Sequence, residues 1–511
     1  MKRILALAVA ILFVFAAFVA CDINEDEDEN ETKKTQNAEG ESEIGGSNLN
    51  SSSNYIQREY VVECEYDENN DNTLILVNGN VFSKKIDGRA YVYDSSLDGK
   101  TVIIRKEDGN GNNKKYDYYA FRNENLTEIG SEFEDCKLSQ NGASVVYVPD
   151  MDISGKFVPC ELVLYSFSDA QKKTITNKAL IGGGVAMSPD GKSVLFVEGD
   201  SEDDYAMMLW SNGEASKIKD NAKPALISDG AKYMYYTEYS ENGDSVLCVM
   251  TDKNEEVKLG SDMSIYVSNV DNTEVLISSM TGGSDMNCYI SVDGGDAVKI
   301  DSYRFSFVCP ENTVGVKQLK KIYFVDTEKD SLCYLNEKLE VVEILEDVPY
   351  SGGSVIDKYG NVVYCRDKHS DLYRGTGSKA ENFEKLAEDV EDLVITSDGS
   401  ACYYIPDEDY GDTNLYYVNN KGEAKEIANN AYDLEITCED YALFLVDRDS
   451  EGNGTLYASI NGGEKTKIAD DVYNVYAGST YSSYIVRSGD KRVCYIATSG
   501  ISFKEAYSLG K

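Results

Sequence analysis

From Tyr55 onward, apolar residues fall in short runs separated by Asp-Gly, Asn-Gly and Gly-Gly turns, and no segment sustains a 3.6-residue period. That alternation predicts strands and tight turns, hence an all-β chain. The best-formed unit is Met187-Ser188-Pro189-Asp190-Gly191-Lys192-Ser193-Val194-Leu195-Phe196-Val197. Proline presets φ at the first central turn position, Asp-Gly supplies a left-handed residue, and the flanking apolar residues belong in a sheet.

Weaker copies recur. Aligning turns on Asp190 and Gly191 gives Asp98-Gly99, Asn141-Gly142, Asp229-Gly230, Asp271-Asn272, Glu311-Asn312, Tyr359-Gly360, Asp398-Gly399, Glu439-Asp440 and Ser479-Thr480. The interval is roughly 40 to 50 residues, the period of propeller blades. A second marker runs in the same phase: a strand with an aromatic residue after Leu or Cys, as in Leu164-Tyr165, Leu209-Trp210, Cys288-Tyr289, Cys333-Tyr334, Leu372-Tyr373, Leu415-Tyr416, Leu456-Tyr457 and Cys494-Tyr495. Each unit reads as four strands, the first before the Asp-Gly turn and the last ending in a pair such as Lys217-Ile218. A lone four-stranded sheet exposes two apolar faces, and stacking such sheets radially buries both.

The expectation is therefore a β-propeller over residues 56–511, built from about ten four-stranded repeats of roughly 40 to 45 residues. Leu74 to Ile86 reads as the last two strands of an eleventh. Propellers usually have about four to eight blades, so the chain forms either two consecutive propellers, the arrangement favoured here, or one unusually large ring. The Ser-Pro-Asp-Gly-Lys pattern and its aliphatic strand resemble the WD-like repeats of TolB-like bacterial propellers. The resemblance is good at 187–197, fair at 226–236 and 395–405, and implies a fold and a binding scaffold rather than an activity.

Ahead of the repeats, Lys2 and Arg3 precede an apolar run from Ile4 to Ala20, the layout of a secretory signal over residues 1–20. The run ends in Phe18-Val19-Ala20-Cys21, which resembles the lipobox of bacterial lipoproteins, with Phe18 in place of the usual leucine. The resemblance implies that Cys21 becomes the lipidated N-terminus and that the body lies outside the cytoplasm, held to the cell membrane. The alternative is a retained transmembrane anchor. Residues 21–55 are acidic and polar with almost nothing to bury, and read as a disordered tether.

Charge and rare residues narrow the chemistry. A net charge of -41 argues against nucleic acid as a partner. The single histidine, His369, sits among Arg366-Asp367-Lys368-His369-Ser370-Asp371 and reads as a turn residue, and no Gly-x-Ser-x-Gly elbow occurs. Of twelve cysteines, Cys136, Cys248, Cys288, Cys333, Cys365, Cys402, Cys438 and Cys494 lie in or beside predicted strands and read as small buried hydrophobes. Asp447, Asp449 and Glu451 space carboxylates as a calcium loop does, without the closing acid, so the segment is either a calcium site or an ordinary turn. Asp108-Gly109-Asn110-Gly111-Asn112 is similar. No cofactor and no catalytic residue are expected. The leading expectation is a noncatalytic scaffold for a protein, peptide or glycan. The alternatives are a propeller-type lyase or glycosidase, which calls for clustered carboxylates with one raised pKa, and an envelope-assembly or sensory component.

Overall fold

The computed structural model describes residues 53–509 apart from 70, 109–114, 150–158, 181–183, 202–203, 241–242, 281–285, 302–304, 311, 351–352, 407–412 and 489–490. The signal segment, Cys21, the tether up to residue 52 and the Gly109 to Asn112 loop lie outside the described residues.

Strands dominate, and among the described residues the only helical turns are two short 3-10 segments at Asp229–Ala231 and Ala380–Asn382. The strands form antiparallel sheets in chain order. Sheet 1 has three strands, Val62–Tyr66, Asn72–Val77 and Asn80–Asp87. Sheets 2 to 11 have four strands each and span 89–131, 134–180, 185–220, 222–261, 263–301, 305–345, 354–387, 390–428, 431–471 and 472–509. Sheets 3 and 4 touch through the single pair Ala179 and Glu198, and the long strand Thr466–Ala477 closes sheet 10 and opens sheet 11. The first strands of sheets 2 to 5 lie against one another in turn, as do those of sheets 7 to 11, and they form the inner wall.

The core lies between sheets. Ile103 and Tyr118 of sheet 2 pack on Val145 and Tyr147 of sheet 3, and each later sheet shares a buried cluster with the next. The circuit closes. Tyr481, Cys494 and Ile496 of sheet 11 pack on Leu74 and Leu76 of sheet 1, whose other face, with Ile75 and Val77, packs on Ala90, Val102 and Ile104 of sheet 2. The body is a β-propeller whose blades follow one closed circuit, rather than two propellers in series.

That circuit is crossed near its middle. Tyr55–Gln57 pairs antiparallel with Thr313–Val316, a strand inserted between the first and second strands of sheet 7. Ile56 and Val314 join Leu97 of the sheet 2 turn and Val270 of the sheet 6 turn in one small apolar cluster. This ribbon leaves sheets 2 to 6 on one side and sheets 7 to 11 with sheet 1 on the other. The tether expected over 21–55 therefore ends earlier: Asn54 bonds Gln318, and Tyr55 is only 5% exposed because its ring has a core cluster to enter.

The Asp-Gly turns tie blade to blade. Ser188 Oγ donates to Asp190 Oδ1 at 2.7 Å, Asp190 Oδ1 accepts the Lys192 amide, and Ser188 Oγ accepts the Ser193 amide. The same set recurs at Ser96 and Asp98, at Ser139 and Asn141, and at Thr396 and Asp398. Gly99, Gly142, Gly191, Gly230 and Gly399 all have positive φ, which glycine adopts without a Cβ clash. Each turn also reaches its neighbour: Thr101 donates to the Gly142 carbonyl and Ser144 to the Gly191 carbonyl, while the Asp229 carboxylate accepts the Asp190 amide.

Candidate functional site

Among the described residues, sheet 1 lacks the innermost strand that every other sheet carries. Its edge strand Val62–Tyr66 pairs on one side with Asn72–Val77. Beyond the single bridge between Asp67 and Leu509, no described residue pairs with the other side. The bonding phase follows from its ends. The Asn78 amide donates to the Val61 carbonyl and the Asp67 amide to the Asn72 carbonyl, so Glu63 and Glu65, in the same phase, bond to their partner strand. The amides and carbonyls of Val62, Cys64 and Tyr66 point toward the vacant position.

The two faces beside that position differ. Glu63 and Glu65 project toward sheet 11, where the Tyr481 hydroxyl donates to Glu63, and Tyr476 lies against Tyr481 with ring centroids 5.6 Å apart. Burial, then the neighbouring Glu63 charge, holds the Glu65 carboxyl above the usual carboxylate range. Burial also raises the Tyr481 hydroxyl, with Glu63 adding to it, and takes the Cys494 thiol up to about 11. No ion pair to a lysine or arginine forms at either glutamate among the described residues. On the opposite face Val62 and Cys64 join the cluster shared with sheet 2, and burial pushes the Cys64 thiol up to about 12. Beside it run Tyr91, Val92 and Tyr93 of the first strand of sheet 2, exposed at 38%, 37% and 40%. Val92 lies on the face toward sheet 1, while Tyr93 turns to the face toward sheet 3, where it meets Tyr118 edge-on at 5.5 Å. Tyr66 meets Tyr91 edge-on at 6.5 Å, and the Arg89 guanidinium lies 5.6 Å from the Tyr66 ring centre.

Elsewhere the inner wall is held by carboxylates at strand bulges. Asp94 accepts the amides of Ser95 and of Leu138 in the next sheet, and burial raises its carboxyl. Asp392 accepts the Leu393 amide and faces Arg366, and Arg448 pairs with Asp433. Between sheets 4 and 5, ligand atoms of Glu238, Cys248 and Glu256 lie within 4.8 Å of one another. The Lys219 ammonium already bridges the two carboxylates, at 3.5 Å and 2.8 Å, so this cluster is an interblade ion-pair triad.

The residues singled out from sequence do not converge on the vacant position. Asp449 accepts the amides of Glu451 and Asn453, and these bonds hold its carboxyl below the usual range. Asp447 meets Asn430, and Glu451 faces Arg487 at 3.6 Å, so the three side chains serve separate contacts. His369 is an exposed turn residue whose amide donates to Asp367. Eleven described cysteines are free thiols. Seven of the eight expected to be buried are so; Cys438 is exposed, because Thr437-Cys438-Glu439-Asp440 aligns with Ser188-Pro189-Asp190-Gly191 and places the cysteine at the turn tip. Sequence reasoning missed Glu63 and Glu65. The signal was two glutamates at alternate positions beside an apolar hairpin, on a face that ought to be buried.

No protein-family model matches the chain, and no curated protein matches it. Among solved structures it is similar to the tricorn protease, at 11% identity and TM-score 0.31 over 88% of this chain and 58% of that one. It is similar also to the propeller domain of the trilobed protease from Pyrococcus furiosus, at 14% identity and TM-score 0.28 over 67% and 96%. A putative TolB from Agrobacterium tumefaciens gives 12% identity and TM-score 0.29 over 47% and 88%. The chain thus spans little more than half the length of the tricorn protease. At such overlaps the fold assignment rests on the chain's own sheets and on the closed sequence of their cores.

Proposed function

We propose that this chain is a noncatalytic binding scaffold, anchored to the outer side of the cell membrane through a lipid on Cys21, with its ligand surface on the inner wall at sheet 1. The observation that carries this reading is the exposed aromatic area of Tyr91 and Tyr476, which flank an unfilled strand position, Tyr91 against Tyr66 and Tyr476 against Tyr481. Exposed tyrosine rings suit a peptide or a glycan equally, since each offers an apolar face and a polar edge. Peptide and glycan arrays probed with the full chain test the reading. A Tyr91→Ala and Tyr476→Ala variant should lose about tenfold or more in affinity, as removal of aromatic anchors does at interfaces. Undiminished binding by a folded variant would refute it. Cys21→Ser should release the chain from the membrane fraction.

A second reading has one observation in its favour. Glu63 and Glu65 are clustered carboxylates, one of them raised, as a glycosidase or lyase needs. They sit on one face of one strand instead of on opposite walls of a cleft, which suits a flanking acid pair better than in-line general acid and base. Turnover of a glycan panel that Glu65→Gln abolishes would establish it.

A further inference from the structure

We infer that the vacant inner position of sheet 1 receives an extended peptide from a partner protein, added as the fourth strand, with basic and apolar residues in alternation. The inference deepens the binding-scaffold reading and rests on it.

The backbone supplies the first half of the argument. Val62, Cys64 and Tyr66 present amides and carbonyls along an edge that, among the described residues, is bridged by Leu509 alone, at one end. An unpaired edge is a template for another strand, and flanking pockets then select alternate side chains. Every other sheet in the circuit has this position filled, so a strand of about five residues fits the geometry of the ring. Charge supplies the second half. Side chains of an added strand alternate between the two faces. Those facing sheet 11 lie beside Glu63 and Glu65, which lack a cationic partner among the described residues. Those facing sheet 2 lie beside Cys64 and Val92, where apolar side chains extend an existing cluster. Lysine or arginine alternating with valine or isoleucine satisfies both faces. The overall charge of -41 draws the same ligand in.

The test uses the full chain and a synthetic heptapeptide, Val-Lys-Val-Lys-Val-Lys-Val, followed by calorimetry. Three companions accompany it: a Val-Glu counterpart, and two forms N-methylated on one edge or on the other. Expected is binding of the lysine peptide, none of the glutamate peptide, and loss of more than about tenfold for one N-methylated edge only, because only one edge faces the sheet. A Glu63→Gln and Glu65→Gln variant, which keeps the Tyr481 contact, should bind the lysine peptide about three- to tenfold more weakly. Equal effects of the two N-methylations would overturn strand addition. Failure of the lysine peptide while array ligands still bind in a tyrosine-dependent way would overturn this inference and leave the scaffold reading standing. If neither binds, the scaffold reading falls as well. Slow exchange of the Val62 and Cys64 amides in the peptide-free chain would show the position already filled, and would overturn the partner assignment.

Discussion

Replacing Gly191 and Gly230 separately with alanine isolates what the blade-to-blade contact at the turns contributes. The two glycines have the same left-handed conformation, φ 69° and 60°. Their surroundings differ. A Cβ at Gly230 meets nothing within 4 Å, whereas one at Gly191 falls 2.3 Å from Ser144 Oγ and 2.7 Å from Ser139 Cβ, both in sheet 3. Gly230→Ala should therefore cost only the left-handed penalty, about 1 kcal/mol. Gly191→Ala must in addition open the seam between sheets 3 and 4. That move breaks the Ser144 bond to the Gly191 carbonyl and the Asn141 bond to the Asp190 carbonyl. At about 1 kcal/mol each the total is about 3 kcal/mol. The single tryptophan, Trp210, is buried in sheet 4 and reports equilibrium urea unfolding from within the perturbed blade. The Gly191→Ala midpoint should fall about three times as far as that of Gly230→Ala, with ligand binding unchanged. Equal shifts would refute the claim that the turns are welded to one another. So would lost binding at unchanged stability, since it would make the turn a ligand site.

Three other outcomes are expected. Iodoacetamide on the native protein should label Cys438 ahead of the other ten described thiols, and mass spectrometry after denaturation should find all eleven alkylated with or without reductant; a thiol revealed only by reductant contradicts the free-thiol assignment. Ile56→Asp or Val314→Asp buries a charge under the ribbon and should cost about 2 to 4 kcal/mol, read as early proteolysis within residues 53–60, while an unchanged cleavage pattern would mean the ribbon is not held there. Glu65, Asp94, Glu274, Asp357 and Asp392 all have raised carboxyls, so the stability linked to them is present below the unfolded pKa and lost as pH rises through the folded one. The urea midpoint should accordingly climb as pH falls from 7, until the depressed carboxyls of Asp67, Asp398 and Asp470 begin to protonate below about 4; a steady fall from pH 7 would contradict this.

The repeat was legible because a tight turn has few chemical solutions. Asp190-Gly191 and its copies announce a left-handed residue, and Leu164-Tyr165 and its copies announce a buried third strand, so blade phase follows from local chemistry alone. What local chemistry does not carry is pairing at long range. Tyr55–Gln57 is three residues long, and its partner Thr313–Val316 lies more than 250 residues away inside a longer turn, so neither the ribbon nor the single circuit it crosses had a local signature. Cys438 was legible in principle, since its alignment with Pro189 marks a turn tip. The vacant strand position left almost no trace, because it consists of an absence beside Val62–Tyr66. Only the alternating Glu63 and Glu65 pointed to it.

The most direct test is residue-resolved amide exchange over Val62–Tyr66 in the full chain without ligand. If sheet 1 is one strand short, the amides of Glu63 and Glu65, bonded to Asn72–Val77, exchange slowly, and those of Val62 and Cys64, facing the vacant position, exchange fast. Addition of the lysine-valine peptide should then slow Val62 and Cys64 alone. Uniform protection of all four amides before any ligand is added would contradict the vacant strand position and the binding surface built on it.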